Sequence, residues 1–462
     1  MIAMTAGDVA ALTGGELHGL TAATKIGGPV LVDSRECGPG SLFVCVDGEH
    51  TDGHLHAGDA FRRGAVAALA SRAVDGPAIM VDDTVRALGF LAGGALRRTT
   101  SCRVVGITGS SGKTSTKDLV AAMLADDAPT VAAKASLNNE IGLPLTVLDV
   151  EESTRNLVLE YSARGVGHIA YLCRIARPAI GVVLNVGSAH LGEFGSREAI
   201  AQAKGELVEA LPDDGVAVLG VDDPLVAAMR SRTSARVVGF GVSAHAEVRI
   251  EGLTLDQQAR PTFELVTPAG SAKLRLQLAG EHQALNAAAA AAVGLAAGMA
   301  LPDIATGLSD VPEVSAHRMR VSSRADGLLV VDDAYNANPE SMRAAVDALA
   351  VLGQGRSGAT WAVLGEMREL GESSATLHEA VGRHAASRGI DHVVVVGAAA
   401  AGIARGAREV PGWSGVVEAA GSVDAATTLV ATAATGDDVV LVKASNAVGL
   451  WRVAESLVGV AS

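Results

Sequence analysis

RVVGIT, residues 103–108, is a short apolar run of strand character, and it passes directly into GSSGKTSTKDLVAAML, where a Gly/Ser turn gives way at Lys113 to a helix-compatible pattern. A strand that turns through glycines into a helix leaves backbone N–H groups without intrahelical partners, all facing one way, and that arrangement favours an anion. In the 462 residues nothing constrains the fold more, because such a turn belongs at the carboxyl edge of a parallel sheet covered by helices. The strict phosphate-loop pattern has a glycine four residues before the Gly-Lys pair, where this chain has Ile107. The shorter loop still offers the backbone of Gly109, Ser110, Ser111 and Gly112 to a phosphate chain. Lys113, Thr114 and Ser115 open the helix, with Lys113 reaching the terminal phosphates and the Thr114 hydroxyl available to magnesium.

The alternation around this turn predicts an α/β protein. NLVLEYS, AIGVVLNV, GVAVLG and RVVGFG are strand-like, mostly separated by helical stretches, so residues 101–314 are expected to form a largely parallel sheet with helices on both faces. Between about 247 and 278, EVRIEGLTL, PTFELV and AKLRLQL alternate without helices and predict a small antiparallel patch. GLLVVDDA, ATWAVLGE, HVVVVG and DVVLVKAS restore the βα rhythm in a third, Rossmann-like domain over 315–462. PVLVDS, SLFVCV and AVAALAS predict a smaller mixed α/β domain over 1–100. Three domains suit the length.

Charge narrows the partners. Thirty-seven Lys and Arg face 51 Asp and Glu, a formal charge of −14, so neither nucleic acid nor an anionic membrane is expected as a partner and any anionic ligand must be held locally. Aromatics at 3% supply no base-stacking platform. The amino terminus, MIAMTAGDVAALTGGEL, lacks a charged region followed by an apolar run, and no eighteen uninterrupted apolar residues occur, so the expected location is the cytoplasm. The alanine-rich stretch 286–298 is too short to span a bilayer and reads as a packed helix. Cys37, Cys45, Cys102 and Cys173 have neither metal spacing nor disulfide density and are expected to be reduced.

Other polar residues fall where strands end. Glu160 closes NLVLEYS, His190 follows AIGVVLNV, and Lys204 lies on the next helix. Carboxyl ends of parallel strands share one crevice, where a carboxylate and an imidazole could bind a divalent ion. Taken alone, His190 reads first as a loop histidine and Lys204 as a solvated helix lysine. GEHQALNAAAA adds His282 and Asn286, SAHRMRV adds Arg318, and VVDDAYNANPESM adds Asp332, Asp333, Asn336 and Asn338 ahead of a helix primed by Pro339.

Together these stretches resemble the Mur ligases, ATP-dependent amide-bond-forming enzymes of peptidoglycan synthesis. The family's loop, T-G-[ST]-[NS]-G-K-T, is matched by Thr108 to Thr114, which makes Ile107 a family trait. The resemblance runs from VDSRECGPGSLFVCVDGEHTDGH (32–54), similar to the family's uridine-nucleotide domain, through LNNEIGLPLT, NVGSAHLGEFGSREAIAQAKGEL, GEHQALNAAA, DDAYNANPESM and LGEMRELGESSATLH to LVKASNAVGL. Within the family it is nearest the branch that joins D-alanyl-D-alanine to UDP-MurNAc-tripeptide. The branch adding the third amino acid usually carries D-Y-A-H-T-P, where this chain has DDAYNANP, and a D-N-P-R motif, which is absent.

The resemblance implies ATP and magnesium at Lys113 and Thr114, a second magnesium at Glu160 and His190, and a carbamylated Lys204 beside it, with Lys113, Lys204 and His190 as the catalytic set. It implies an adenine contact at Asn286, a phosphate contact at Arg318 and a nucleotide contact at Asp333. Substrate contacts are implied at Ser34, Arg35, Asn138, Asn139, Asn336 and Asn338. The implied reaction phosphorylates the tripeptide carboxylate to an acyl phosphate, which the dipeptide amine attacks, releasing ADP and phosphate; a monomer is expected. Two departures stand out. The family's E-M-G-A is Glu160-Tyr161-Ser162-Ala163, and its K-[GA]-S-R ends in Asn446 after Lys443-Ala444-Ser445, which leaves Arg452 as a candidate to compensate.

Overall fold

The computed structural model describes residues 2–48, 51–99, 101–134, 136–188, 191–312 and 315–459. Three sheets carry the architecture, joined at the amino end by a two-stranded ribbon, Met4–Thr5 with Lys25–Ile26. The first sheet has five strands in the order Glu16–His18, Ala78–Met80, Ala67–Ala70, Leu42–Val44, Val30–Leu31, antiparallel only at the first pair. Leu42, Phe43 and Val44 are buried in succession, which is what a parallel strand covered on both faces requires. Helix Thr84–Leu96, capped by Asp83 accepting from Val85 and Arg86 N–H, leaves this sheet and packs on Gly142–Leu148 and His168–Ile175 of the central unit. Gly93 makes that approach close, since a Cβ there would lie 3.1 Å from Ile175 O.

The central sheet has nine strands. Arg103–Thr108 is flanked by Asn156–Glu160 on one side and Ile180–Val183 on the other, all parallel, so the chain crosses from one flank to the other over the phosphate-loop strand. Such a reversal opens a crevice at the carboxyl ends of those strands, and Gly109, Tyr161 and Leu184 directly follow them. The antiparallel patch expected at 247–278 exists as Val248–Leu255, Pro261–Thr267 and Gly270–Arg275, but it extends the central sheet, because Phe240 and Gly241 pair in parallel with Val248 and Arg249. Helix His282–Ala297 lies inside; Ala287 to Ala292 are fully buried. No helix of the described residues is long and apolar enough to cross a membrane. All four cysteines are free.

The last sheet has six strands, Arg320–Ser323, Leu329–Asp332, Val439–Lys443, Thr360–Leu364, His392–Val396 and Val416–Ala420, parallel except for the first pair. Val439–Lys443 lies between Leu329–Asp332 and Thr360–Leu364, so this sheet has its own reversal point. Helices bury both its faces, one around Val331, Leu349 and Leu441, the other around Val330, Val363 and Val442.

Candidate active site

The phosphate loop is built from backbone geometry that only glycine supplies cheaply. Gly112 has φ +82°, and a Cβ there would lie 2.6 Å from Asn286 Oδ1; a Cβ on Gly109 would meet Leu184 Cβ at 2.9 Å. Asn185, just past the neighbouring strand, accepts from Ser110 and Ser111 N–H, each at 3.0 Å, and Ser110 Oγ accepts from Gly187 N–H at 2.9 Å. The loop is thus held open over the start of helix Lys113–Asp127. Lys113 Nζ donates to Gly109 O at 2.7 Å, folded back over the loop where a phosphate chain would lie.

Charge gathers around it. Burial pushes the Lys113 ammonium below the ordinary lysine range; Glu160 opposes that shift and Arg318 adds to it. Glu160 is fully buried; its Oε2 accepts from Asn138 Nδ2 at 3.4 Å, and its Oε1 has no hydrogen-bond partner among the described residues. Lys204, on helix Arg197–Glu209, is buried rather than solvated, and burial together with the Lys113 ammonium holds it well below its usual pKa. His190 lies outside the described residues.

The six-stranded sheet closes over the loop with polar groups. Arg318 Nη2 donates to Thr114 Oγ1 at 3.0 Å and to Ser136 Oγ at 3.2 Å, while its guanidinium lies 4.2 Å from the centre of the Tyr335 ring. Asp333 fixes this arm: its Oδ1 accepts from Met319 N–H at 3.1 Å and its Oδ2 from Lys443 Nζ at 2.6 Å. Lys443 is almost fully buried and also donates to Asn336 O at 2.8 Å. Asn338 caps helix Pro339–Gly353 by accepting from Ser341 N–H, and its Nδ2 donates across the gap to Ser110 O at 3.3 Å. Glu340 accepts from Ser188 N–H and from its hydroxyl at 3.2 and 2.9 Å.

These groups enclose a cavity of about 510 Å³. Of the residues expected from sequence, Ser110, Ser111, Gly112, Lys113, Thr114, Ser115, Asn138, Asn139, Glu160, Asn286, Arg318, Asp333, Asn336 and Asn338 line it. Lys204 is near Lys113 but off the wall. Ser34 and Arg35 are not on it either: Ser34 Oγ donates to Asp59 at 3.1 Å, and Arg35, largely exposed, pairs with Asp33 at 2.6 Å. Sequence reasoning did not single out Ser136, Asn185, Tyr335 or Glu340. Asn185 could have been found from its place two residues beyond the strand Ile180–Val183, at the head of NVGSAH; Glu340 carried no signal beyond the first turn of a helix.

The donor set suits magnesium. Among the described residues no three His, Cys, Asp or Glu side chains gather where they could hold a metal, and magnesium is usually held by one or two carboxylates together with substrate phosphates and water. The unpartnered, buried Glu160 Oε1 is an acceptor of that kind. Of the two departures, Tyr161 is explained: it is fully buried, its hydroxyl donates to Ala176 O at 2.5 Å, and its ring fills the space beside Gly106. Asn446 is exposed beside Arg368 on a separate, smaller cavity.

Comparison with known proteins agrees with this geometry. Three family models match in succession: the Mur ligase family, catalytic domain, at residues 29–89; the Mur ligase middle domain at 107–294; and the Mur ligase, glutamate ligase domain, at 317–446. A relative from Mycobacterium tuberculosis, named UDP-N-acetylmuramoyl-tripeptide--D-alanyl-D-alanine ligase, is 44% identical, covering 99% of this chain and 98% of its own. A crystal structure of MurF from Acinetobacter baumannii superposes with a TM-score of 0.89 at 33% identity, over 99% of both chains. MurF from Thermotoga maritima in complex with ADP gives 0.81 at 32% identity, over 94% of this chain and 97% of that one. The chain belongs to the Mur ligase family.

Proposed function

We propose that the chain is an ATP-dependent ligase that joins D-alanyl-D-alanine to the terminal carboxylate of the tripeptide on UDP-MurNAc, in peptidoglycan precursor synthesis. The observation that carries this reading is the convergence of Lys113, Arg318, a helix N-terminus and a buried, half-satisfied Glu160 on one cavity between two sheet reversal points. The names of the full-length relatives give the substrates.

A carboxylate is a poor electrophile, and its attack on the terminal phosphate of ATP sets anion against anion. Lys113, the loop N–H groups and Arg318 place positive charge where the phosphoryl group is transferred. The resulting acyl phosphate is attacked by the dipeptide amine; the C–N bond forms, the C–O bond to phosphate breaks, and the amine's proton is lost to solvent or a nearby base. Thr114 and Glu160, with His190 and a carbamylated Lys204 as the further expected ligands, would hold magnesium, which would supply positive charge against the transferring phosphate. Lys204 suits carbamylation because only a neutral amine adds carbon dioxide, and burial beside Lys113 favours the neutral form. Asn286 and Asp333 line the cavity where the nucleoside would extend. Ser34 and Arg35, off that cavity, are assigned to the uridine end of the other substrate. Closure of the six-stranded sheet over the loop keeps water from the acyl phosphate. A location in the cytoplasm fits these substrates.

The test is phosphate release with ATP, UDP-MurNAc-tripeptide and D-alanyl-D-alanine, each omitted in turn. Release that requires all three is the expected result; release without the dipeptide, or none at all, overturns the reading.

A further inference from the structure

Glu206 is a buried carboxylate that the reaction above does not use, two residues from Lys204 on helix Arg197–Glu209. At 3.6 residues per turn, positions two apart lie roughly 160° from each other around the axis, so the two side chains leave the helix in nearly opposite directions. Lys204 lies near Lys113. Glu206 meets helix His168–Ile175, where its Oε1 accepts from Gly167 N–H at 2.5 Å and its Oε2 from Ala170 N–H at 2.9 Å. That helix needs such a partner. Its N-cap, Gly167, has φ +95° and no side chain to satisfy the free N–H groups, and Glu206 serves the N-cap and N3 amides from a distant element. Its negative charge also suits a helix N-terminus.

The tie closes a ring of chain. Strand Asn156–Glu160 ends at Glu160, and the next residue is fixed at once: Tyr161 N–H donates to Ile107 O at 2.8 Å, its carbonyl accepts from Thr108 Oγ1 at 2.8 Å, and its hydroxyl donates to Ala176 O, just past the end of helix His168–Ile175. From Ser162 the chain follows the cavity wall through Ala163 and Arg164 to His168. Glu206 fastens the end of that run to the helix carrying Lys204. Arg232 holds the same helix from another side, donating to Ala201 O and Gln202 O at 3.1 and 2.9 Å. Glu160 and Lys204 thus stand on two elements that this carboxylate joins.

We infer that Glu206 is a positioning residue for the divalent-metal site: it sets the spacing between Glu160 and Lys204 by tying the loop that follows one to the helix that carries the other. The inference rests on the ligase reading above, in which both residues serve the metal. Glu206 is not itself a ligand, since each of its oxygens is engaged by a backbone amide.

Manganese(II), titrated against the full chain with a non-hydrolysable ATP analogue and followed by the spin-resonance signal of the free ion, tests this without turnover. Glu206→Gln keeps the size of the side chain and one acceptor oxygen but turns an amide donor toward one of the two N–H groups. Its apparent Kd for manganese should rise by roughly tenfold, the low end for losing a group that orients metal ligands. The magnesium concentration for half-maximal phosphate release should rise in parallel, and hydrogen exchange at the Gly167 and Ala170 amides should quicken. Glu206→Asp keeps the charge but is too short to reach both amides, and should shift the Kd in the same direction. Ser196→Ala is the control. Ser196 Oγ caps helix Arg197–Glu209 by accepting from Ala199 N–H at 3.1 Å, so its loss costs stability without touching the tie, and manganese binding should stay as it is. An unchanged Kd in both Glu206 variants, or an equal rise in Ser196→Ala, overturns the positioning role while leaving the ligase reading standing. A wild type that releases no phosphate with all three substrates present overturns both.

Discussion

Between the first sheet and the central one the contact is apolar. Helix Thr84–Leu96 lies on Gly142–Leu148 and His168–Ile175, and its buried side chains belong to one cluster that runs from Met4 to Ala235. Between the central sheet and the six-stranded one the contact over the cavity is polar: Arg318 on Thr114, Asn338 on Ser110, Glu340 on Ser188, and Ser315 on Asp118 at 2.6 Å. Apolar burial stabilises by about 25 cal/mol per Å² and is lost if the surfaces part. A hydrogen bond nets only about 0.5–1.5 kcal/mol, because water or a ligand can replace either partner. The first junction is therefore set on folding, whereas the second can open to admit nucleotide and close on it.

That contrast predicts that substitutions will divide by junction, with turnover at stake on the polar side and stability on the apolar side. The largest effect is expected from Lys113→Ala. Losing one preorganised charge opposite a transferring group costs about 10²- to 10³-fold in turnover, measured as ADP release. Stability should not fall with it. The folded-state pKa of Lys113 lies below the unfolded value, so the native state binds that proton less tightly and the lysine costs stability at neutral pH. The variant's advantage in thermal unfolding should shrink as pH rises through the folded pKa toward the ordinary lysine value of about 10.4. A variant both inactive and markedly less stable would mean that the loop is holding the fold together. Gly93→Leu is the counterpart on the apolar side. The new side chain is driven into Ile175 O, and overpacking of this kind costs about 1–3 kcal/mol, read as denaturant midpoint, with KM for ATP unchanged. A large rise in that KM would show that the two junctions are coupled.

How much of this was legible in sequence follows the same division. The phosphate loop and its flanking strands could be read because strand, glycines and helix coincide within thirteen residues, and the structure brings fourteen of the expected residues to one cavity wall. The antiparallel patch was legible as strands but not as an extension of the central sheet, because pairing of Phe240 with Val248 is a matter of register rather than composition. Lys204 could not be told from a solvated lysine, since helix periodicity does not reveal that its face is covered.

Glu340 gives the sharpest test of the polar junction, because the effect should be small. Its carboxylate stands in the first turn of helix Pro339–Gly353, accepts from Ser188, and lines the cavity meant for a polyphosphate. Glu340→Gln keeps an acceptor oxygen and the size of the side chain but removes the charge, so the latch to Ser188 and the favourable contact with the helix N-terminus both weaken, together by about 1 kcal/mol. Global unfolding should barely move, while hydrogen exchange at the Ser188 amide should quicken by up to about tenfold, the response of a local opening. KM for ATP should stay level or fall, because a negative group has left the wall facing the phosphates. If Glu340→Gln instead lowers the denaturant midpoint as much as Gly93→Leu does, the polar contacts are part of the folding core and the second junction is as fixed as the first.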